Sequence, residues 1–291
     1  MGNILWLASY PRSGNTWLRA FLHNYLRNSA EPYDINRLQD LTTVDSDARW
    51  YQMFDSRPCS SLSKEEVAAL RPKVHEAITR SRPDTVFVKT HNALLIDRGT
   101  PMISPQFTAG AIYVVRDPRD VAVSYSVHFG VALDEAVAAM NRTRNQSKSN
   151  EAHFVYELHG SWSENVESWT GREQKGVHVV RYEDLQSAPE AAFGDIVRFL
   201  GLPGGGERLQ RAIRNCAFAV LEAQEQQGGF RERSRKSDKF FRLGRSGEGT
   251  RRLTPGQIAS LLRTHESQMR RFGYWQPGDR AAIPDSGEQP R

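Results

Sequence analysis

Residues 4–19 read ILWLASYPRSGNTWLR, and within this stretch the periodicity of a strand gives way to that of a helix. Residues 4–8 form a short apolar run typical of a buried strand, whereas apolar residues recur at helical spacing from Trp17 onwards. The loop between them, residues 9–16, is rich in turn-forming residues. Free backbone N–H groups in such a loop, together with the positive end of the helix dipole, favour a phosphate or sulfate. We therefore predict an anion site here, with an ordinary capped turn as the alternative.

This loop differs from the P-loop of proteins that bind nucleoside triphosphates. Gly14 is its only glycine, and the spacing GxxxxGK[ST] is absent. The sequence therefore indicates another kind of anion loop.

Length and composition indicate one large domain. The chain has 291 residues, of which 38% are hydrophobic, enough for a core. No apolar run approaches the length that spans a bilayer, and the N-terminus opens on the first core strand without the features of a signal peptide. Cys59 and Cys216 have neither a disulfide pattern nor a metal-ligand spacing. We expect a soluble, cytoplasmic protein.

The positive charge of the chain is concentrated in residues 228–252, which we call the basic segment. The whole chain has a formal charge of +5, but this segment alone carries +6 and the remainder −1. Such a distribution predicts an anionic ligand at one place, since a nucleic-acid binder more often spreads its charge along a face. We predict no nucleic-acid partner. A solvated loop without a ligand is the alternative.

Alternating strand and helix signals predict an α/β fold with a central parallel sheet flanked by helices. The expected strands are residues 4–8, 85–89, 111–115 and 177–181. Residues 28–62 have no sustained period and are interpreted as a long excursion over the site. A capping box at Ser63 and Glu66 begins a helix that Pro72 is expected to interrupt or kink. Further helices are expected at 133–140, from 161, and at 255–272, while 131–160 is otherwise uninformative.

Three of these strands end in cations or hydrogen-bonding groups. Arg12 follows the first strand, Lys89 and His91 end the second, and Arg116 and Ser124 follow the third. Because the carboxyl ends of parallel strands meet at one edge, these groups could bind a highly charged ligand there. Neighbouring cations should lower the pKa of His91, and a neutral imidazole could remove a proton from an acceptor hydroxyl. A purely structural histidine is the alternative.

These motifs resemble those of sulfotransferases that use 3′-phosphoadenosine 5′-phosphosulfate (PAPS). YPRSGNTW at 10–17 is similar to the family loop YPKSGTTW, and YVVRDPRDVAVSYSVHF at 113–129 is similar to its second signature. The order of KTH, RYEDL and a late FRxG also matches, so the resemblance runs from Leu5 to about Phe272. It implies a single domain of P-loop-like topology, related to nucleotide kinases, that transfers a sulfuryl group from PAPS to a hydroxyl without a metal.

The resemblance also implies roles for individual residues. Arg12 takes the place of the loop lysine that touches the oxygen bridging sulfur and phosphate, His91 matches the general base, and Lys89 matches a residue that stabilises the transferring group. The expected nucleotide contacts are Ser13, Gly14, Asn15 and Thr16 at the phosphosulfate, Trp17 and Tyr182 at the adenine, Phe218 and Phe241 as apolar contacts, and Arg116, Ser124, Arg242 and Gly244 at the 3′-phosphate.

The sequence departs from the family pattern at several positions. Arg12 stays protonated, so it can stabilise the leaving oxygen but cannot readily give it a proton. Leu243 stands where a lysine is usual, and Arg245 is the residue that could compensate for it. Cys216 and Ala217 replace the usual Thr and Ser, so the resemblance implies no hydrogen bonds there.

We predict a sulfotransferase domain over residues 1–275, in which the basic segment is a mobile lid that orders over the nucleotide because little apolar surface holds it down. Residues 276–291 are expected to be a disordered polar tail. The acceptor would be a small molecule, lipid or glycan with a hydroxyl, bound by 28–62 and 131–160. The alternative functions are a nucleotide kinase, which needs a P-loop lysine and Mg²⁺, and a non-catalytic protein that binds polyanions.

Overall fold

The computed structural model describes residues 3–149, 153–171 and 176–282. The strands are β1 (Ile4–Ser9), β2 (Thr42–Val44), β3 (Val86–Thr90), β4 (Ile96–Asp97), β5 (Thr100–Pro101), β6 (Thr108–Val115) and β7 (Val177–Arg181). The α-helices are α1 (Asn15–Arg27), α2 (Ala48–Gln52), α3 (Lys64–Arg80), α4 (Pro118–Phe129), α5 (Leu133–Asn141), α6 (Trp162–Thr170), α7 (Tyr182–Ser187), α8 (Pro189–Phe199), α9 (Gly206–Asn215), α10 (Phe218–Gly228), α11 (Gly249–Arg252) and α12 (Pro255–Arg271). Short 3-10 helices lie at Ile35–Asp40, Cys59–Ser61, Pro105–Phe107 and Pro277–Ala282.

Five strands form one parallel sheet in the order β2-β3-β1-β6-β7, and β4 and β5 form a separate antiparallel pair. β1 lies at the centre, where it pairs with β3 on one side and β6 on the other. Its side chains alternate between the two faces: Ile4 and Trp6 join the core under α3, α6 and α12, whereas Leu7 joins the core under α1, α8 and α9. Helices on both faces explain why the strand is apolar throughout.

The predicted parallel sheet and its four predicted strands are confirmed. The fifth strand, β2, was not predicted; it is only three residues long and lies within the 28–62 excursion, which also contains α2. Pro72 does not interrupt α3, contrary to our expectation. The capping box from Ser63 to Glu66 is present, and Val74 and Ile78 beyond the proline are fully buried, so packing against the core offsets the cost of proline within a helix.

Regular structure is present in two stretches where the sequence predicted little or none, residues 131–160 and the C-terminal tail. The helix expected at 133–140 is present as α5, and the chain that follows it folds back, so that Ala48 N–H donates to His153 O (2.8 Å) and Ser147 N–H to Glu157 O (2.9 Å). In the tail predicted to be disordered, Pro277–Ala282 is helical, and Asp279 pairs with Arg119 at 3.3 Å. Order therefore extends to residue 282 at least, while 150–152 and 283–291 lie outside the described residues. Within the described ranges, no helix combines the length and apolar character needed to cross a bilayer.

Candidate active site

The loop after β1 turns through two left-handed residues before α1 begins. Arg12 has φ 68° and Gly14 has φ 110°, a conformation that only glycine adopts without strain at the second position. A Cβ on Gly14 would also lie 2.7 Å from the ring of Tyr182. Asn15 is the first helical residue, and its side-chain amide donates to Leu7 O (2.8 Å), which ties the loop to β1. The loop thus holds the unpaired N–H groups of the first helical turn in a fixed position.

These groups open into a cavity of about 870 Å³ at the carboxyl edge of the sheet. Every site residue expected from the sequence lines this cavity except Ser13, which is 1% exposed. The lining includes Arg12, Gly14, Asn15, Thr16, Trp17, Lys89, His91, Arg116, Ser124, Tyr182, Phe218, Phe241, Arg242 and Gly244. Arg245, expected to compensate for the missing lysine, also lines it. Residues from six separate parts of the chain therefore meet in one place. Three of these parts follow the strands whose ends were expected to meet, and the others were expected from the family resemblance.

The arginines at the β6 side lack partners for some of their N–H groups. Arg116 stacks on Tyr182, with 4.2 Å from its guanidinium carbon to the ring centroid, and its Nη1 donates to Arg12 O (3.2 Å). Arg242 pairs with Glu248 through Nη2 (2.9 Å). Among the described residues, no hydrogen-bond partner is present for Arg116 Nε or Arg242 Nη1, although both atoms are buried. Buried donors of this kind are expected to bind an anionic ligand.

An aromatic surface closes the same end of the cavity. Phe218 and Phe241 meet edge to face at 6.0 Å, and Gly244 lies directly on Phe218. A Cβ on Gly244 would lie 2.1 Å from the Phe218 ring. Trp17 packs edge to face on Tyr182 (5.5 Å) and Phe193 (5.8 Å), so part of its ring belongs to the core. Apolar contacts for a base are thus available next to the unpaired arginine nitrogens.

Arg12 connects the loop to α4 and to the basic segment. Its Nε donates to Ser124 Oγ (3.1 Å), Nη1 to His128 Nδ1 (3.3 Å), and Nη2 to Phe240 O (3.4 Å). The guanidinium also lies over the Phe240 ring at 4.1 Å. Burial and the charge of Arg116 lower the pKa of Arg12 to about 10, which leaves it cationic at neutral pH.

His91 is held in one tautomer by the backbone of β1. Its Nδ1 lies 2.8 Å from Ser9 O, and because a carbonyl oxygen can only accept, Nδ1 carries the hydrogen. Burial and the charge of Lys89 lower the pKa of His91 well below its usual value. The ring is therefore neutral at pH 7, with the lone pair on Nε2 available in the cavity, as a general base requires.

Glu157 and His159 form a polar group beside His91 that sequence reasoning missed. His159 Nε2 lies 3.2 Å from the Glu157 carboxylate, which also accepts from Ser46 Oγ (3.2 Å). Burial raises the pKa of Glu157, but the hydrogen bond from His159 and the charge of Lys89 outweigh burial and lower it overall. An ionised carboxylate therefore lines the cavity near the histidine. No local signal marks either residue, because their segment has no periodicity.

The basic segment is seated on the site by specific contacts. The carboxylate of Asp120 accepts from Gly247 N–H (2.8 Å) and Gly249 N–H (2.7 Å). At the other end of the segment, Phe230 is buried, and Glu232 forms a salt bridge with buried Arg19 (2.8 Å). Glu225 accepts from the N–H groups of Phe240 and Phe241 (both 2.8 Å). The expectation that little apolar surface holds this segment was wrong, because its phenylalanines pack on one another.

Comparison with known proteins agrees with this geometry. The family model for the sulfotransferase domain matches residues 3–273. The chain belongs to the sulfotransferase domain family. Sulfotransferase 1B1 of Canis lupus familiaris is 26% identical over 218 residues, which cover 74% of this chain and 65% of that protein. The chain thus spans just under two thirds of the dog protein, and 53% to 54% of two further curated relatives.

Solved sulfotransferase structures share the fold. Mouse sulfotransferase SULT7A1, complexed with PAP (adenosine 3′,5′-bisphosphate), is 18% identical and superimposes with a TM-score of 0.60 over 96% of this chain and 87% of that one. Retinol dehydratase in complex with retinol and PAP is also 18% identical, with a TM-score of 0.57 over 99% and 83% of the two chains. The single α/β domain with a central parallel sheet is therefore the P-loop-like fold of this family. Within the described residues, no group of three or more His, Cys, Asp or Glu side chains could hold a metal ion.

Proposed function

We propose that this protein is a PAPS-dependent sulfotransferase that acts on a hydroxyl group. The observation that carries the proposal is the single cavity that joins the anion loop to His91, whose tautomer leaves Nε2 free to accept a proton. The sulfotransferase relatives and the PAP-bound neighbours support the same reaction. PAPS supplies the sulfuryl group and a leaving phosphate that needs no proton.

The residues present fit PAPS. The buried, unpaired nitrogens of Arg116 and Arg242 suit the 3′-phosphate, together with Ser124, and the aromatic surface of Phe218 and Phe241 suits the adenosine. Gly14 allows the loop to pack closely against Tyr182, which a Cβ at this position would prevent. Gly14, Asn15 and Thr16 would contribute main-chain N–H groups to the phosphosulfate, and Ser13, whose N–H donates to Tyr10 O (3.2 Å), would complete the cradle. Trp17 and Tyr182 would lie at the base, with Gly244 closing over it.

His91 acts as the general base in this proposal. Nε2 takes the proton of the acceptor hydroxyl, while Ser9 O keeps the ring oriented through Nδ1. Arg12 and Lys89 hold the negative charge that develops around the transferring group, in a site where burial strengthens electrostatic interactions. The acceptor would be a small molecule, lipid or glycan with a hydroxyl.

We further propose that residues 1–275 form the sulfotransferase domain, with the basic segment as its lid, and that the protein acts in the cytoplasm. The contacts of Phe240 in the basic segment with Arg12 support its role as a lid within this domain. Two buried cysteines without a disulfide, Cys59 and Cys216, support the second.

Ligand-dependent melting tests the nucleotide, and product detection tests the reaction. PAP at about 100 times its dissociation constant stabilises a fold by roughly 2.7 kcal/mol, which is visible as a melting shift. We expect PAP to shift the melting temperature more than ATP with Mg²⁺ does, and PAPS with hydroxyl compounds to yield sulfated products by mass spectrometry. A larger shift with ATP and Mg²⁺ would contradict the proposal.

A further inference from the structure

The cavity has a second side whose lining is mostly polar. The nucleotide residues proposed above come from the loops after β1 and β6, from α1, α4, α7 and α10, and from the basic segment. The 3-10 helix Ile35–Asp40, β2, α2 and the residue before it, β3 and the chain after α5 contribute the other wall. That wall presents amide, hydroxyl, carboxylate and imidazole groups from Gln39, Thr43, Asp47, Ser147, Glu157 and His159. Its apolar residues include Val44 and Phe154.

Among the described residues, only Ser46 and His159 bond the carboxylate of Glu157, which leaves some of its acceptor positions open. An ionised carboxylate has about four lone-pair positions. Ser46 Oγ and His159 Nε2 occupy two of these, each at 3.2 Å, and the side chain remains 14% exposed at the cavity. The carboxylate therefore retains acceptor capacity for hydroxyl donors of a ligand.

An apolar acceptor would be poorly matched to this wall. Covering Glu157 and Lys89 with hydrocarbon would remove water from two charged groups, which is unfavourable for each group left without a partner. A sugar ring, by contrast, carries several hydroxyls in fixed positions, which can replace that water. The exposed ring of Phe154 can cover its apolar face.

We infer that the acceptor is a glycoside, whose ring hydroxyls bond Glu157 and His159 while a neighbouring hydroxyl reaches His91. The inference rests on the proposed function. The acceptor oxygen forms a bond to sulfur as the bond from sulfur to the phosphate oxygen of PAPS breaks. His91 Nε2 takes the hydroxyl proton, and PAP leaves with the electron pair of the broken bond.

Paired acceptors test this inference. The wild-type protein is incubated with PAPS and either 4-nitrophenyl glycosides of glucose, galactose and N-acetylglucosamine, or 4-nitrophenol, cyclohexanol and a sterol. We expect at least one glycoside to be sulfated on its sugar, with kcat/KM about tenfold or more above every apolar acceptor, a margin worth about 1.4 kcal/mol. If PAP shifts the melting temperature but no glycoside is sulfated, or an apolar acceptor is preferred, the glycoside inference is overturned and the proposed function stands. No response to PAP and no sulfation at all would overturn both.

The role of Glu157 is tested with a variant that preserves its shape. Glu157→Gln should raise KM for the sulfated glycoside about 10- to 150-fold, as expected for loss of hydrogen bonds to a charged group. The dissociation constant of PAP should stay within about twofold of the wild type, because RT ln 2 is only about 0.4 kcal/mol. Glu76→Gln is the matched control and should change neither value, because Glu76 is a partly exposed residue of α3 that pairs with Arg80 and does not line the cavity. An unchanged KM in Glu157→Gln, or an equal loss of PAP affinity, would overturn the assignment.

Discussion

At the residue scale, the proposal depends most on His91, because its half-buried ring lines the cavity and is held by Ser9 O. His91→Ala should lower turnover about 10²- to 10⁴-fold through loss of the general base. PAP affinity should be nearly unchanged, since His91 lies at the acceptor side. His178→Ala is a suitable control, because His178 stacks on Phe199 (5.4 Å) and is not among the cavity residues. Equal loss of PAP binding and turnover in His91→Ala would identify a structural histidine instead.

Arg116 should give the opposite result. Its Nε is buried without a partner, and charge-assisted hydrogen bonds are worth about 1.5–3 kcal/mol, so Arg116→Ala should weaken PAP about 10- to 150-fold. Isothermal titration with PAP measures this loss directly. Arg263→Ala, on the exposed side of α12, supplies the control. PAP binding of wild-type strength in Arg116→Ala would remove Arg116 from the proposed phosphate site.

At the scale of elements, the basic segment contains three glycines with positive φ, Gly229, Gly244 and Gly247, and two of them offer a sharp test. Gly244 (φ 55°) and Gly247 (φ 87°) both need a left-handed backbone, but only Gly244 touches Phe218, while a Cβ on Gly247 would have nothing within 4 Å. Alanine at either position costs about 1–2 kcal/mol of backbone strain. Gly244→Ala should therefore weaken PAP binding more than Gly247→Ala does. Equal dissociation constants for the two variants would show that the close contact with Phe218 is irrelevant to the nucleotide.

Trypsin tests whether the segment moves as a lid. It carries Arg231, Arg242 and Arg245 in loops, and its like charges repel one another. Without ligand, the first cuts should fall between residues 231 and 252, and saturating PAP should slow those near Arg242 and Arg245 by supplying anions. Cutting rates that do not change with PAP, while PAP binding is shown independently, would contradict a lid.

Elements also show where sequence reasoning succeeds and where it stops. The four longer strands and the anion loop could be predicted because their signals are local. β2 could not, since its three residues gain their stability from pairing with β3 far along the chain. Asp120 lies in the first turn of α4, and its carboxylate accepts from the N–H groups of Gly247 and Gly249, more than 120 residues away in the sequence. Glu157 and His159 likewise reach the cavity only because their segment folds back onto α2.

At the scale of the whole molecule, buried histidines should make stability depend on pH. Burial lowers the pKa of His265 to about 3 and that of His23 to about 4, and burial with the charges of Arg12 and Lys89 lowers that of His128 to about 3. Unfolded histidines titrate near about 6.5, so below that pH the unfolded chain binds more protons and stability falls as pH falls. Each such histidine contributes up to about 1.4 kcal/mol per pH unit.

Urea titrations at several pH values measure this effect. Between pH 7.5 and 5.5, the midpoint should fall without a change in the slope of free energy against urea. His265→Gln should reduce the fall, because one buried imidazole is no longer present. A midpoint that is constant or rises over this range would contradict the expected neutral state of these histidines.

The order of the strands also bears on how this protein can diverge. β1 separates β2 and β3, next to the wall of Glu157 and Asp47, from β6 and β7, next to Arg116 and Tyr182. Evolved variants can therefore change the residues beside β2 and β3 and bind new acceptors. The residues beside β6 and β7 can stay the same and bind the same sulfuryl donor. A laboratory library needs to vary only residues 39–49, 142–149 and 153–160 to explore such new specificities.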